Sequence, residues 1–497
     1  MNTIPEMLVA VVKQNAGRTA IVDEGVAIDY ATLERKITSL AAELYGRGVR
    51  RGDRVALLLP NGLDFVTSYF AIAAVGAVIV PLNDHYQQTE LLYFLEECGV
   101  TLLLTSRDYS PLCHEVLAVG KSSFKLFFVE DQAEVSEARL KSFRNLKTEI
   151  NPNSPVMYQY SSGTTGRPKR VARTHANLLF ELNSLVQTLR LSNEDRFLGV
   201  APFSHVNGLM RSMMASIRAG ATLYPLAKFE RQAIAEVIEK NHLSTFIAVP
   251  FMFSMLAKTN FRKRPDFSSL RLCVSASAPM PKKLNEEFYK KFGIYVRQLY
   301  GSTETGTISV NLRSDIEGSL ESVGTPIGGV EVEVFTEDGR VANEGEVAEI
   351  AVKSPGTIKG YDGLDEVNRE VFRNGYFFTG DLGRRDKDGF LYLVGRKKFF
   401  INKGGYKIDP HEIEELLESH AKVDEAVVIG LPTSYGDEKV KAVIVLNTPC
   451  SEEEIIKYCR GKIADFKIPS LVEFRENLPK SPTGKILRKM LIETSII

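Results

Sequence analysis

The stretch Tyr160-Ser161-Ser162-Gly163-Thr164-Thr165-Gly166-Arg167-Pro168-Lys169 places small hydroxyl residues, two glycines and a lysine within one turn-sized segment. Gly163 and Gly166 can adopt backbone angles forbidden to other residues, so successive N–H groups can converge on one anion. Lys169 adds a compact positive charge suited to phosphate. Hydroxyl donors are supplied by Ser161, Ser162, Thr164 and Thr165. The segment therefore predicts a phosphate-gripping loop between a strand at 156–158 and a helix at 177–189.

Two other kinds of loop could be considered for this segment, a flexible surface loop and the common P-loop. A flexible Gly/Ser/Thr surface loop would have a similar composition. The common P-loop pattern GxxxxGK[ST] is not met, because Thr164 follows Gly163 directly and Pro168 precedes Lys169.

The segment resembles the phosphate loop of the adenylate-forming superfamily, which includes acyl-CoA synthetases, aryl-CoA ligases, luciferases and peptide-synthetase adenylation domains. Six more matches to this family follow in family order along nearly the whole chain. They lie at 202–205, 300–304, 379–382, 395–396, 405–414 and 482–485. Agreement in this order is not expected by chance.

Composition sets limits on the class of protein. The 497 residues are 44% hydrophobic and 25% charged, which is typical of a globular chain too long for one core. Lys+Arg and Asp+Glu are both 62, so no net field favours nucleic acid or an anionic membrane. Cations instead cluster at 167–173 and 396–407, beside glycines. Solvated charge runs are the ordinary explanation, but the glycines favour phosphorylated ligands.

Cysteine usage and hydropathy predict a reduced, cytoplasmic setting. The five cysteines are scattered and form no C-x-x-C pair, which indicates neither a disulfide framework nor a zinc site. The longest apolar run, 70–80, is interrupted by Gly76 and is too short to span a bilayer. Residues 1–10 lack the basic region of a secretory signal.

Hydrophobic patterning predicts an α/β fold. Helices at 30–45, 64–75 and 90–97 alternate with continuous apolar strands at 55–59, 77–80 and 101–105, as in βαβ units. Residues 121–150 are charged, poor in periodicity, and predicted to be a peripheral excursion. A second α/β block starts at Asp195, with strands at 196–200, 221–223, 245–249 and 272–274.

From Gly324 the pattern changes to period-two alternation, which predicts a small β subdomain. Strands at 330–335 and 347–352 flank an Asp338-Gly339 turn, and 386–393 belongs with them. Beyond Gly395, helices at 410–418 and 452–462 and strands at 426–431 and 439–446 form a small α+β domain. We thus expect a large N-terminal domain (1–395) of two doubly wound α/β subdomains plus the β subdomain. A hinge at 396–398 and a C-terminal domain at 399–497 complete the chain. The resemblance implies that the C-terminal domain is mobile.

The residues expected to hold the nucleotide follow predicted strands. Tyr300 offers a flat face for a purine, Thr303 a hydroxyl for phosphate, and Glu304 a carboxylate oxygen for Mg²⁺. The resemblance assigns Tyr300, Gly301, Ser302 and Thr303 to ATP. It also implies an adenine wall at Ser275, Ala276, Ser277, Ala278 and Pro279, although the second position is more often Gly in the family.

The resemblance implies that Asp381 contacts the ribose, and its carboxylate can accept hydrogen bonds from two hydroxyls. Arg396 matches a family cation near the same ribose and phosphate region. An Asx turn or a helix cap is the ordinary alternative for Asp381.

His205 resembles the family gate between ATP and the carboxylate substrate, although a lone His is usually structural. Amino-acid-activating relatives carry an acid shortly after this position, and residues 206–210 contain none. Nearby apolar residues fit either an acyl pocket or ordinary core. They are Met210, Met213, Met214, Phe251, Met252 and Phe253.

The C-terminal matches imply three further roles. Lys485, in a Pro-x-Gly-Lys context, matches the family lysine that contacts the substrate carboxylate and the α-phosphate. Gly404 and Gly405 resemble the lining of the pantetheine tunnel, and Lys398 occupies the hinge position.

Taken together, the matches imply an ATP-dependent acid–thiol ligase, an acyl-CoA synthetase using ATP, Mg²⁺ and CoA. A carboxylate attacks the α-phosphate to give acyl-AMP and pyrophosphate, and a thiol then takes the acyl group. Catalytic roles fall to Lys485, His205, Lys169, Thr303 and Glu304. The alternative acceptor is the phosphopantetheine of an acyl carrier protein. A ligase that stops at acyl-AMP and a non-catalytic nucleotide-binding module are less favoured. The acid itself, whether fatty, aryl or other, stays open.

Overall fold

A computed structural model describes the chain except for residues 121–123, 134–135, 137–139, 141–142, 144–148, 162–168, 398–400, 404–405, 433–437, 461, 464, 482–485 and 496–497. The residues form two compact units. The first unit contains Met1–Val332 and Val352–Phe377, and the second contains Glu333–Ala351 and Phe378–Ile497. Part of the predicted β subdomain is therefore grouped with the C-terminal residues. The predicted domain limit at residue 395 stays a prediction.

The first unit contains a six-stranded sheet that confirms the predicted first α/β block. In spatial order its strands are Lys125–Phe128, Leu102–Thr105, Arg54–Leu58, Val78–Pro81, Pro155–Ser161 and Lys169–Thr174. The first five pair in parallel and the last is antiparallel. The central strands are buried on both faces, which is why they appear as continuous apolar runs in the sequence.

The region 121–150 was predicted to be peripheral, and this is wrong for Lys125–Phe128. These residues form the edge strand of the six-stranded sheet, in parallel register with Leu102–Thr105. Four residues are too few to show a periodic pattern, so the surrounding charge concealed the strand.

A second sheet places nine strands of the first unit side by side. In spatial order they are Ser322–Pro326, Gly306–Val310, Arg297–Ser302, Leu272–Ser275, Thr245–Ala248, Arg196–Gly199, Thr222–Pro225, Thr19–Asp23 and Val26–Asp29. The strands from Arg297–Ser302 to Thr19–Asp23 pair in parallel, and antiparallel strands lie at both ends. The predicted second α/β block is confirmed.

Helices connect the strands of the first unit. The α-helices are Ile4–Asn15, Tyr30–Gly46, Leu63–Val75, Gln88–Cys98, Ser110–Val119, His175–Thr188, Ala215–Ala219, Arg231–Asn241, Pro250–Lys258, Lys282–Phe292 and Asp365–Val371. Short 3₁₀ helices lie at Arg107–Tyr109, Val129–Asp131 and Glu317–Ser319. A π-helix at Asn207–Met214 was not predicted. Among the described residues, no helix is both long and apolar enough to cross a bilayer.

The second unit contains mostly antiparallel strands. Glu331–Phe335, Ala348–Lys353, Tyr376–Arg385 and Leu391–Arg396 are consecutive neighbours in one sheet. Phe372–Arg373, which belongs to the first unit, pairs with Tyr376 and Phe377 of the same unit. Ile401–Lys403 pairs with Tyr406–Ile408. A three-stranded sheet follows, in the order Val423–Pro432, Glu438–Leu446, Leu471–Phe474.

The C-terminal helices are Pro410–Glu418, Glu452–Cys459 and Arg488–Glu493, with a 3₁₀ helix at Asp465–Lys467. The predicted helix at 452–462 ends earlier because the chain becomes extended at Arg460. The buried Glu414 carboxylate accepts hydrogen bonds from Arg488 and from the Val428 N–H. This contact fixes two helices to the strand Val423–Pro432.

Candidate active site

The predicted phosphate loop connects two antiparallel strands. Ser161 ends one strand, Lys169 begins the next, and the two residues are Cα partners. The expected strand–loop–helix order is therefore wrong, because the strand Lys169–Thr174 precedes the helix His175–Thr188. The predicted nucleotide ligands Ser162, Gly163, Thr164, Thr165 and Gly166 lie outside the described residues.

Lys169 and Glu304 come together through Tyr361, which the sequence did not indicate. The Lys169 Nζ lies 5.1 Å from the centre of the Tyr361 ring. The Tyr361 hydroxyl donates a hydrogen bond of 2.8 Å to Glu304 Oε1. Glu304 is only 7% exposed, so this hydrogen bond orients a carboxylate that water can scarcely reach. The structure thus joins a cation and an acid that are 135 residues apart in the numbering.

The strand Arg297–Ser302 presents the predicted ATP residues at its end. Thr303 follows directly, and the Ser302 hydroxyl accepts a hydrogen bond of 3.2 Å from the Thr305 N–H. Tyr300 is buried, with 7% exposure, and its stacking role stays a prediction. This turn brings Thr303 and Glu304 to one edge of the sheet.

A cleft at this edge contains His205. Its lining includes Asn83, Tyr160 and Thr303. The Asn83 amide lies 3.1 Å from His205 Nε2, which suits donation to a neutral imidazole. Burial lowers the pKa of His205 to about 4, so the ring is neutral at neutral pH. The imidazole therefore adds no charge to the lining of this cleft.

The predicted adenine wall follows the strand Leu272–Ser275. Ala276 is buried and donates from its N–H to Ala248 O, whereas Ser277, Ala278 and Pro279 are exposed. Ser277 has φ +74°, a left-handed conformation that is uncommon for a residue with a side chain. The segment 275–279 therefore turns at exposed Ser277, one residue after Ala276, where the family more often has Gly, and its adenine role stays a prediction.

In the second unit, the two predicted ribose residues are partners. Asp381 and Arg396 face one another across antiparallel strands, and Arg396 Nε donates to Asp381 Oδ1 at 2.5 Å. The Thr379 hydroxyl accepts a hydrogen bond of 3.0 Å from the Asp381 N–H. Lys398, Gly404, Gly405 and Lys485 lie outside the described residues, and their predicted roles stay predictions.

Behind Thr303, the first unit contains a buried group of charges that sequence patterns did not reveal. Arg173 and Glu181 are fully buried and form an ion pair of 3.0 Å. Arg173 Nη1 also donates to Thr303 O at 3.1 Å, and Glu181 Oε1 accepts from the Thr307 N–H and hydroxyl, both at 2.9 Å. Hydrogen bonds from Arg173 and Glu181 therefore hold both ends of the turn 303–307 in place.

The apolar residues that could have lined an acyl pocket divide into two groups. Met252 and Phe253 pack into a core cluster with Phe246 and Phe288, and Phe251 is exposed. Met210, Met213 and Met214 are fully buried on the π-helix Asn207–Met214.

Comparison with known proteins shows the family to which this chain belongs. The model of the AMP-binding enzyme matches residues 8–362, and that of the AMP-binding enzyme C-terminal domain matches 412–485. The chain belongs to the AMP-binding enzyme family. A long-chain-fatty-acid–CoA ligase of Bacillus subtilis (strain 168) is 32% identical, over 96% of this chain and 91% of the relative. An oxalate–CoA ligase of Arabidopsis thaliana is 31% identical, over 99% and 98%.

Solved structures agree. The o-succinylbenzoate CoA synthetase from Bacillus subtilis, in complex with its acyl-adenylate intermediate, is 30% identical over 98% of each chain, with a TM-score of 0.87. The resemblance seen in the motifs is confirmed, as is the predicted enzyme class, an AMP-forming acid–thiol ligase. ATP and CoA are its co-substrates, and loading of a carrier protein is not favoured.

Proposed function

We propose that this AMP-binding enzyme activates its carboxylic acid at the cleft beside His205 and Thr303. The supporting observation is the chain of contacts from Lys169 through Tyr361 to Glu304, at the strand edge that borders this cleft. A carboxylate and the α-phosphate of ATP are both anions. Their approach requires fixed positive charge and hydrogen-bond donors where charge develops. Lys169 supplies the charge and Thr303 the hydroxyl.

Mg²⁺ fits the donor set of this edge. The Glu304 carboxylate and the Thr303 hydroxyl are hard oxygen donors of the kind that Mg²⁺ prefers. Tyr361 holds Glu304 Oε1 in one orientation, as a hydrogen-bonded partner of a metal ligand does. When bound, Mg²⁺ would neutralise charge on the phosphates. Glu304 would be its protein ligand, and Tyr361 would set the direction of the carboxylate.

The remaining roles follow from the family resemblance and the local contacts. Asp381 accepts from the ribose hydroxyls, with Arg396 beside it. Tyr300, Gly301 and the segment 275–279 receive the adenine. Lys485 contacts the substrate carboxylate, and Gly404, Gly405 and Lys398 serve the thioester step.

The cytoplasm is the proposed location, because each of the five cysteines is a free thiol. The acids named in the relatives range from long-chain fatty acid to oxalate. The identity of the acid must therefore come from the pocket of this chain.

The function is tested by acid-dependent release of pyrophosphate from MgATP across aliphatic and aromatic acids, with CoA present and absent. We expect release to require an acid and Mg²⁺, and thioester to form only with CoA. A reaction without acid measures background hydrolysis of ATP. Failure of every acid to raise pyrophosphate above this background would contradict the proposal. A product that accumulates as acyl-AMP despite CoA would point to another acceptor.

A further inference from the structure

One face of the strand that begins at Lys169 contacts the surroundings of the proposed site at three points. Alternate residues of a strand point to the same side, so Lys169, Val171 and Arg173 share this face. Lys169 lies over the Tyr361 ring, and Val171 packs in a small buried cluster with the same tyrosine. Arg173 donates to Thr303 O at 3.1 Å. It does so about 13 Å along the strand from Lys169, where no solvent reaches it.

The turn that begins at Thr303 rests directly on the buried pair Arg173–Glu181. Arg173 bonds to the first residue of the turn, and Glu181 accepts from the Thr307 N–H at its other end. Between these ends, Gly306 has φ +72°, and a β-carbon there would overlap the Glu181 carboxylate. The backbone of the turn therefore contacts the pair with no room for a side chain between them.

Stability alone does not explain a charged pair at this position. Both side chains are removed from water, and the desolvation of the two charges offsets much of their attraction. The Arg173 Nε is also buried, and it has no hydrogen-bond partner within the part of the chain that the structure describes. Well-packed apolar residues of similar volume are often as stable as such a pair, or more so. The pair is better explained by what it holds, which is the backbone of the turn.

The held peptide group is the one that links Thr303 to Glu304, the two oxygen donors of the proposed site. Other contacts fix Glu304 from the far side. The Ile358 N–H donates to Glu304 O at 2.9 Å, and the Tyr361 hydroxyl donates to the carboxylate. The hydrogen bond from Arg173 to Thr303 O adds the contact on the near side. The two donors are thus held between the strand of Arg173 and the segment that contains Tyr361.

We propose that Arg173 is a positioning residue for the adenylation step. Together with Glu181, it sets where the Thr303 hydroxyl and the Glu304 carboxylate stand relative to Lys169. This inference rests on the proposed function. Arg173 is fully buried and acts through the peptide group between the two donors, without touching the substrate. A displacement of about 1 Å at reacting groups can lower a rate by about 100-fold, so a small movement of the turn should appear in kcat.

The first test separates position from stability with the double variant Arg173→Met, Glu181→Leu. Both charges are removed, so urea unfolding should be much closer to that of the unmodified enzyme than in Arg173→Met alone. We nevertheless expect kcat for acid-dependent pyrophosphate release to fall about 100-fold in the double variant. The KM for ATP should change much less, because the residues proposed for adenine and ribose are untouched. Recovery of kcat together with stability would overturn the inference.

The second test needs neither ATP nor Mg²⁺. Hydrogen exchange of a peptide that covers 303–307 reports the turn itself. We expect exchange there to be about 10-fold faster in the double variant, because the Thr307 N–H loses its acceptor and Thr303 O its donor. Unchanged exchange would show that the pair does not hold the turn, and faster exchange with unchanged kcat would show that the position of the turn does not limit the reaction. Either result would overturn the inference.

The matched control is Arg271→Met. Arg271 pairs at 2.6 Å with Asp195, whose side chain is buried. Both residues directly precede parallel strands, so they lie at the sheet edge opposite the proposed site. We expect Arg271→Met to lower stability while leaving kcat and the exchange of 303–307 unchanged. An equal loss of kcat in this control would overturn the inference, because general destabilisation would then explain the effect.

A second variant keeps the test open if the double variant does not fold. Arg173→Lys keeps a charge for Glu181 but loses the fork that also reaches Thr303 O. Its kcat should fall about 10-fold, and an unchanged kcat would overturn the inference. If no acid raises pyrophosphate release by the unmodified enzyme, the proposed function is contradicted. Hydrogen exchange would then still decide whether the pair holds the turn.

Discussion

Glu304 in the first unit and Asp381 in the second are both acids proposed to serve MgATP, but their surroundings differ. Glu304 is 7% exposed, is held by Tyr361, and stands on a turn fixed from beneath by Arg173 and Glu181. Asp381 is almost as buried, at 8% exposure, but its partner Arg396 has a side chain that is 36% exposed. The first acid is oriented by the fold before any ligand arrives, whereas the second belongs to a pair that solvent can reach.

The comparison indicates which of the two acids is held more firmly by the fold. A buried support made of an ion pair and hydrogen bonds holds a group in place, but it costs the desolvation of the two charges. A pair with one partly solvated partner, such as Arg396, contributes less and can exchange that partner more easily. The metal and phosphate contacts are therefore expected to be rigid, and the ribose contact adjustable.

Among the variants considered, Arg173→Met is expected to have the largest effect on stability, because it removes the buried ion pair with Glu181. This change leaves Glu181 buried without its partner, and we expect a loss of about 3–5 kcal/mol in the free energy of unfolding. Urea unfolding measures it. Arg18→Met is the matched control, because Arg18 pairs with Glu194 at the surface and should cost less than about 1 kcal/mol. Arg173→Met combined with Glu181→Leu should recover much of the loss. Equal costs in the two single variants would contradict a special role for burial.

Variants of C-terminal residues extend the comparison to the two half-reactions. Their proposed roles should separate the formation of acyl-AMP from the formation of the thioester. We expect Lys485→Ala to lower pyrophosphate formation by about 10²–10³-fold while supplied acyl-AMP is still converted to thioester. Gly405→Leu should show the opposite pattern, because a branched side chain would block the thiol. Lys398→Pro should resemble Gly405→Leu, since it fixes φ at the hinge. Equal loss of both half-reactions in Lys485→Ala would show that the lysine supports the fold.

A smaller effect is expected at Glu304, the proposed Mg²⁺ ligand, and at its partner Tyr361. Tyr361→Phe removes the hydrogen bond to Glu304, so the Mg²⁺ concentration for half-maximal activity should rise about 10-fold. Glu304→Gln removes the charge and should raise it further, with partial rescue at high Mg²⁺. The measurement is pyrophosphate release against Mg²⁺ concentration. An unchanged Mg²⁺ dependence in Glu304→Gln would make this acid structural.

A smaller effect on stability is expected at the pair Asp381–Arg396 than at Arg173. Arg396→Met should cost less free energy of unfolding than Arg173→Met, because the Arg396 side chain is partly solvated whereas Arg173 is fully buried. Asp381→Asn should raise the KM for ATP more than it changes stability. A double-mutant cycle of the two residues checks the coupling in both assays. Coupling above about 2 kcal/mol in unfolding would place this pair with the buried group instead.

Local patterns predicted the elements that carry the site but not the contacts within it. Buried strands such as Arg54–Leu58 and Leu272–Ser275 appear as apolar runs, and Glu304 follows a strand end with a recognisable motif. The Tyr361–Glu304 hydrogen bond joins residues 57 positions apart, for which one sequence contains no signal.

The buried charges were missed for a related reason. Arg173 lies within a basic cluster that was predicted to favour phosphorylated ligands, and only the tertiary fold places it against Glu181 and Thr303. The π-helix Asn207–Met214 was also hidden, because its extra residue per turn is too small a change to alter the hydrophobic pattern. Long-range pairing, rather than local propensity, decided both features.

The left-handed backbone conformation of Ser277 has a consequence for engineering the stability of this protein. Its φ of +74° would suit glycine, and a side chain in this conformation costs about 1–2 kcal/mol. Ser277→Gly is thus a change that relieves backbone strain at an exposed turn of the proposed adenine wall. Strain of this kind is often found at functional sites, where stability and activity oppose one another, which is consistent with the adenine role proposed for this turn. A more heat-resistant Ser277→Gly enzyme with weaker ATP binding would show what the serine contributes.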